Sequence, residues 1–252
     1  MNRYFIELCY LGEGFAGFQV QENANTIQAE VELALATVLR ERVQLTGSSR
    51  TDTGVHAEQN YFHFDIERTV SPELRYNLNA VLPPGIAIKD IIAVAPGSHC
   101  RFDACSRQYR YEVYSQKDPF MQGRGYYFPY VVDLEAMRAA AAVVMEYDDF
   151  RSFAKRKGQA KTSVCVVDHS EWERVGEKMV YQVRANRFLR GMVRGLVGTM
   201  LRVGRGRMSV EAFRGVIERG DPSAVDFSVP GYGLVLERVA FTKGYFGFPK
   251  KD

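Results

Sequence analysis

A chain of 252 residues with 46% hydrophobic content can build one large domain or two small ones around a buried core, and 33 lysines and arginines against 30 aspartates and glutamates leave a net charge of only +3. That balance selects no partner by itself, so any affinity for nucleic acid has to come from local clusters. Cys9, Cys100, Cys105 and Cys165 form no C-x-x-C pair, the histidines lack a partner at helical ligand spacing, and no apolar run reaches the roughly 18 to 20 residues of a membrane helix; reduced thiols, no metal site, no membrane contact and a cytoplasmic setting are expected.

In chain order, Arg3 to Leu11 reads as a strand. A helix follows from Thr26, its N-cap, with Ile27, Val31, Leu35, Val38 and Leu39 as a 3.6-period stripe. Val43 to Thr46 and Asn60 to Ile66 read as strands, the second by alternation of its side chains. Ser71 and Pro72 open a helix through Leu82, in the order N-cap then proline, and Ile86 to Ala95 closes this half as a strand. The second half has a strand from Gln108 to Ser115, an Ala-rich helix from Asp133 to Met145, and a hairpin of Thr162 to Arg174 with Lys178 to Ala185 around Gly176. A long helix from Phe188 to Val203, a helix from Ser209 and a strand from Gly233 to Phe241 complete it. The order β-α-β-β-α-β therefore occurs twice, loosely the second time. The expected class is α+β: two ferredoxin-like halves, residues 1–105 and 106–252, each with a largely antiparallel sheet covered by helices on one face and free on the other, with an active-site cleft between them.

Two motifs mislead. Gly12-Glu13-Gly14-Phe15-Ala16-Gly17 spells G-x-G-x-x-G after a strand, but a dinucleotide-binding loop opens directly into a helix, and here the helix waits until Thr26. No nucleotide cofactor is expected. Asp52-Thr53-Gly54 spells the aspartic-protease triplet, yet that chemistry needs two carboxylates sharing a proton and no second triplet exists.

The segment from Gly47 to Ala57, G-S-S-R-T-D-T-G-V-H-A, is by composition a polar turn, with Arg50 a plausible solvated partner of Asp52. Arg187, Arg190, Arg194, Gly191, Gly195 and Gly198 fall on one stripe of the long predicted helix, opposite Phe188, Leu189, Met192, Val193, Leu196 and Met200. Glycines cost a helix about 1 kcal/mol each, so something approaches that backbone closely: either a ligand or a neighbouring strand. Arg107, Arg110, Lys155, Lys157 and Lys161, with tyrosines interleaved, are candidate phosphate contacts.

Ser49 to Ala57 resembles the G-R-T-D-A-G-V-H-A signature of the TruA-type tRNA pseudouridine synthases. The resemblance continues through Arg101-Phe102, Arg107-Gln108-Tyr109-Arg110-Tyr111, Ser152-Phe153 with Lys161-Thr162, the stretch Phe188 to Gly206, and Gly233-Leu234-Val235-Leu236. It implies an isomerase that converts uridine to pseudouridine without a cofactor, at tRNA positions 38, 39 and 40 of the anticodon stem-loop, working as a homodimer. Carried over by position, Asp52 is the catalytic aspartate, with Arg50, Tyr109 and Arg194 beside it in the catalytic set. Leu234 is a pocket wall, and His56, Arg187 and Arg190 join the basic residues above in substrate binding. Nucleophilic attack on the base, attack on C1′ and removal of the C2′ proton are all open to such a carboxylate. A catalytically dead RNA-binding protein is the competing class, against which the intact Arg50, Asp52, Tyr109 and Arg194 speak. The chain departs from the signature at Ser49 and Thr53, at Leu11 and Phe18 in the early loop, and at Gly191 and Gly195. The early-loop changes are expected to bear on RNA selection rather than on chemistry.

Overall fold

The computed structural model describes residues 1–155 and 162–246, so Lys157 and Lys161 lie outside the described residues. In chain order the elements are β1 (Asn2–Tyr10), α1 (Ile27–Leu39), β2 (Thr46–Gly47), β3 (His56–Ile66), α2 (Leu74–Val81), β4 (Ile86–Val94), β5 (Ala104–Tyr114), β6 (Tyr126–Tyr127), α3 (Leu134–Val144), β7 (Val167–Val175), β8 (Lys178–Ala185), α4 (Met192–Gly204), α5 (Val210–Arg219) and β9 (Leu234–Phe241). They form an α+β fold in which β1 pairs antiparallel with β3 and β4, β2 with β3, and β8 with β5 and β7, while the short β6 runs parallel to β5. Two compact units divide the chain: Met1–Cys105 with the chain from Leu236 onward, and Ser106–Val235. The last strand thus passes from the second unit into the first at Leu236, where residues 106–252 were expected to stay together.

In the first unit the strands run β4-β1-β3, with β2 paired to β3 and β9 added beside β3. The β4-β1-β3-β2 part is the split β-α-β order of a ferredoxin-like sheet. Thr26 caps α1 as expected, its hydroxyl accepting the Ala29 N–H at 3.3 Å. β2 is shorter than its apolar residues suggest because α1 takes the neighbouring backbone bonds: Leu45 N–H donates to Glu32 and the Leu45 carbonyl accepts from Gln28, both at 3.1 Å. α2 starts at Leu74, after a turn in which Leu74 N–H donates to the Ser71 carbonyl at 3.0 Å, so Ser71 and Pro72 form the approach and not the first turn. Nor is the sheet free on its second face. Phe5 and Tyr61, opposite in orientation to Tyr4, Ile6, Phe62 and Phe64, are buried under Phe241, Tyr245 and Phe246, with Tyr61 edge-on to Phe241 at 5.2 Å.

In the second unit the strand order is β5-β8-β7, with α3 packed on β7, α4 and α5. Trp172 and Tyr181 fill the core, and the Trp172 indole N–H points at Met200 Sδ at 3.4 Å. Asp133 and Ser209 cap α3 and α5, each accepting the N–H three residues on at 3.0 Å. α4 is shorter than the periodicity predicts. Gly191 takes a left-handed conformation at φ 74° and the helix begins only at Met192. Arg187 and Arg190 therefore precede the helix and do not share a stripe with Arg194.

Candidate active site

Asp52 stands on the loop between β2 and β3, at the start of a turn that closes with Val55 N–H donating to the Asp52 carbonyl at 3.2 Å and Gly54 at φ 78°. Buried polar groups hold this loop to the first unit. Asn60, within β3 and fully buried, donates from Nδ2 to the Ser49 carbonyl at 2.8 Å and to Tyr10 Oη at 3.2 Å, while its Oδ1 accepts the Ser49 N–H at 3.3 Å. Tyr10 Oη in turn meets Thr51 Oγ1 at 2.8 Å. Asp52 is left half-buried and Arg50 exposed, on a loop whose backbone is fixed on both sides.

The early glycine-rich segment supplies the floor. Phe18 N–H donates to the Thr51 carbonyl at 3.1 Å, Gly12 N–H donates to His56 Nδ1 at 2.9 Å, and Phe18 stacks on Phe62 with ring centres 4.5 Å apart. A Cβ at Gly12 would overlap the Val55 carbonyl, and one at Gly17 would lie 3.0 Å from the Thr51 carbonyl. The glycines serve close backbone approach, here to the Asp52 loop. Leu11 is exposed, whereas Phe18 is buried and packs beneath the Asp52 loop. His56, expected among the substrate contacts, is buried and braces the same floor. Sequence reading passed over Asn60, Tyr10 and Thr51, although an asparagine in phase with Phe62, Phe64 and Ile66 was a visible sign of a buried polar group needing partners.

In the second unit, Tyr109 lies on β5 opposite Val183 of β8, buried, with its ring edge-on to Phe188 at 5.1 Å and 88°. Arg194, in the first turn of α4, donates from Nε to the Val229 carbonyl at 2.8 Å. Tyr111, two residues beyond Tyr109, donates to the Pro230 carbonyl at 2.8 Å; burial pushes its phenol well above the usual range, and the nearby Arg194 guanidinium opposes the shift. Leu234 is buried at the start of β9. Arg194 and Tyr111 thus hold neighbouring carbonyls of the segment leading to Leu234. The glycines of α4 have a similar explanation: a Cβ at Gly198 would overlap the Asp226 carbonyl, and one at Gly195 would sit 2.8 Å from the Phe227 ring. The chain's own residues 225–227 make the close approach.

The basic candidates divide. Arg107 is buried, with Nη1 donating to the Asn186 carbonyl at 2.9 Å, and Arg110 pairs with Glu112 at 2.9 Å, which also takes Lys178 at 2.8 Å. Both side chains are engaged within β5 and its neighbours. Lys155 and Arg190 are exposed and adjacent, Lys155 N–H donating to the Arg190 carbonyl at 2.9 Å; Arg187 is half-buried. Among the described residues, His63, His99 and Cys100 are the group whose side chains could hold a metal ion.

Residues 147–242 match the family model described as tRNA pseudouridine synthase. Similarity extends over almost the whole chain to proteins named tRNA pseudouridine synthase A. The protein of that name from Parabacteroides distasonis is 44% identical over 98% of this chain and 98% of its own length, and the one from Bacteroides thetaiotaomicron is 42% identical over 98% and 93%. The Staphylococcus aureus MRSA252 protein is 35% identical over 94% of this chain and 91% of its own.

Proposed function

Because the chain belongs to the tRNA pseudouridine synthase A family, we propose that it isomerises uridine to pseudouridine at positions 38, 39 and 40 of the tRNA anticodon stem-loop, with Asp52 as its catalytic carboxylate. The observation that carries the assignment is the fixing of the Asp52 loop by Asn60, Tyr10 and Thr51, which presents one half-buried carboxylate from a rigid frame. Such pre-organisation is what positioning a reacting group requires.

The reaction breaks the bond between N1 of uracil and C1′ of ribose, joins C5 to C1′, and moves one proton from C5 to N1. Atoms and electrons balance within the nucleotide, so no cofactor takes part. Attack on the base, attack on C1′ and removal of the C2′ proton all start from an ionised Asp52. The target uridine leaves its stack to reach the carboxylate. Arg50 and Arg194 are assigned to its charged surroundings, Tyr109 to the face of the uracil and to relay of the C5 proton, and Leu234 to the apolar wall. Lys155, Arg190 and Arg187 contact phosphate. By likeness to the family, the protein is assigned to the cytoplasm as a homodimer.

The test is to incubate purified protein with unmodified tRNA transcripts and map pseudouridine by position. Product at 38 to 40 with wild type and none with Asp52→Ala supports the reading, whereas full activity in Asp52→Ala removes Asp52 from it. Phosphate contacts dominate affinity for folded RNA, so Asp52→Ala retains tRNA in a filter-binding assay.

A further inference from the structure

We propose that His63, His99 and Cys100 form a binding site for a thiophilic transition-metal cation of the zinc type. Their ligand atoms all lie within 4.8 Å of one another, and His63 Nδ1 is already 3.2 Å from Cys100 Sγ. In a tetrahedral zinc site, with bonds of about 2.0 to 2.3 Å, ligand atoms stand roughly 3.3 to 3.8 Å apart. Closing the cluster on an ion therefore takes shifts of about 1 Å. Two imidazoles and a thiolate suit zinc, cobalt or copper and not magnesium or calcium, which prefer oxygen.

The cluster is convergent although its members are distant in sequence. His63 comes from β3, while His99 and Cys100 come from the connection between β4 and β5. Spacing along the sequence compares only local pairs and gives no sign of this cluster. His63 is seven residues along β3 from His56, roughly 23 Å at strand rise, so this site is separate from the catalytic floor. It lies instead behind β2, where Thr46 is the register partner of His63 and the Thr46 carbonyl accepts from Cys100 Sγ at 3.2 Å.

Binding a metal through sulfur gives up the Cys100 S–H bond to the Thr46 carbonyl at 3.2 Å. Nδ1 of His63 accepts the Cys100 N–H at 3.3 Å and Nδ1 of His99 accepts the Arg101 and Phe102 N–H groups at 3.2 and 3.4 Å, all longer than the usual 2.9 to 3.0 Å, so these backbone contacts compete weakly with a metal. The outer contacts are short by comparison. Asp103 accepts the His99 N–H at 2.7 Å, Arg3 donates to the Ser98 carbonyl at 2.7 Å, and the Arg3 charge is answered by Asp65 at 2.6 Å. Such second-layer contacts hold ligands in place. On binding, the Cys100 S–H bond breaks, its proton passes to buffer, and a metal–sulfur bond forms without redox change; water completes the tetrahedron.

The test needs no RNA. Full-length protein, stripped with chelator, is titrated with cobalt(II). The expected result is a thiolate-to-cobalt charge-transfer band with visible bands of tetrahedral intensity, saturating at one equivalent per chain and erased by zinc. Zinc also raises the melting temperature by about 5 to 10 °C at 100-fold excess over its Kd. Cys100→Ser and His99→Ala lose both effects, while a Cys9→Ser, Cys105→Ser, Cys165→Ser triple variant keeps them. His99 is only half-buried, so its variant serves where Cys100→Ser fails to fold. Absence of the band in wild type, or its survival in either single variant, overturns the proposal.

Discussion

Asn60 brackets Ser49: its side-chain amide donates to the Ser49 carbonyl at 2.8 Å and accepts the Ser49 N–H at 3.3 Å, so one buried side chain pairs with both backbone groups at the root of the Asp52 loop. Replacing it with alanine strands these groups, and each buried unpaired group costs about 1 to 3 kcal/mol. Asn60→Ala is expected to lower stability by about 2 to 4 kcal/mol in chemical denaturation. It should also lower kcat more than it raises KM, because the loop carries Asp52 and not the phosphate contacts. Unchanged kcat in a folded Asn60→Ala protein would separate the bracket from catalysis.

Ser49 itself gives a prediction of opposite sign. The hydroxyls of Ser48 and Ser49 are buried without a hydrogen-bond partner among the described residues. Deleting an orphaned hydroxyl removes its desolvation penalty while the backbone bonds to Asn60 stay. Ser49→Ala should raise stability by about 1 kcal/mol, read as a shifted denaturation midpoint at unchanged slope.

Gly198→Ala sets two terms against each other. Alanine gains about 1 kcal/mol over glycine in a helix interior, but its Cβ would overlap the Asp226 carbonyl, a backbone atom unable to swing aside. Overpacking of this kind costs about 1 to 3 kcal/mol, so net destabilisation is expected. The displaced segment includes Phe227 and Val229, whose carbonyls accept from Arg194. Activity should fall with stability, and pseudouridine yield at matched folded fraction measures that second loss.

Elements with a strong period or cap were legible in the sequence: Thr26 caps the helix it was expected to cap, and the helices expected from Asp133 and Ser209 begin there, each of those residues being the observed cap. The failures share one cause, that backbone partners lie far away in sequence. Val43 to Leu45 looks like a strand, but Gln28 and Glu32 of α1 claim its backbone. Arg187 and Arg190 look helical until Gly191 turns the chain. Asp52 was found by resemblance to a family signature. Its supports were not, because Tyr10, Thr51 and Asn60 meet only after β1 and β3 pair.

Alkaline pH should unfold the protein through its buried acids. Burial pushes the Cys165 thiol up from 9.0 to about 11 and lifts the Tyr111 and Tyr181 phenols above their usual range. These groups stay neutral in the fold and ionise more readily once unfolded, so the unfolded state loses protons first and stability falls as pH rises. Cys165 contributes stability that is whole below about pH 9 and lost through about pH 11, worth about 2 to 3 kcal/mol. Denaturation midpoints between pH 8 and 11 check the slope, which Cys165→Ala should reduce.

Tyr109 separates packing from chemistry. Its ring is held edge-on to Phe188 at 5.1 Å on a strand pinned to β8, so Tyr109→Phe keeps the aromatic contact and the fold. What it removes is the hydroxyl assigned to proton relay at C5. Proton transfer by a positioned side chain contributes roughly 10²- to 10⁴-fold, so Tyr109→Phe should cut single-turnover pseudouridine formation by about that factor, measured per folded protein, while tRNA binding stays unchanged. Uridine deuterated at C5 distinguishes the two roles. If the hydroxyl relays the proton, the isotope effect on product formation grows in the variant, because proton loss from C5 becomes limiting. Wild-type rate in Tyr109→Phe would leave the ring, and not the hydroxyl, as the functional part of the side chain.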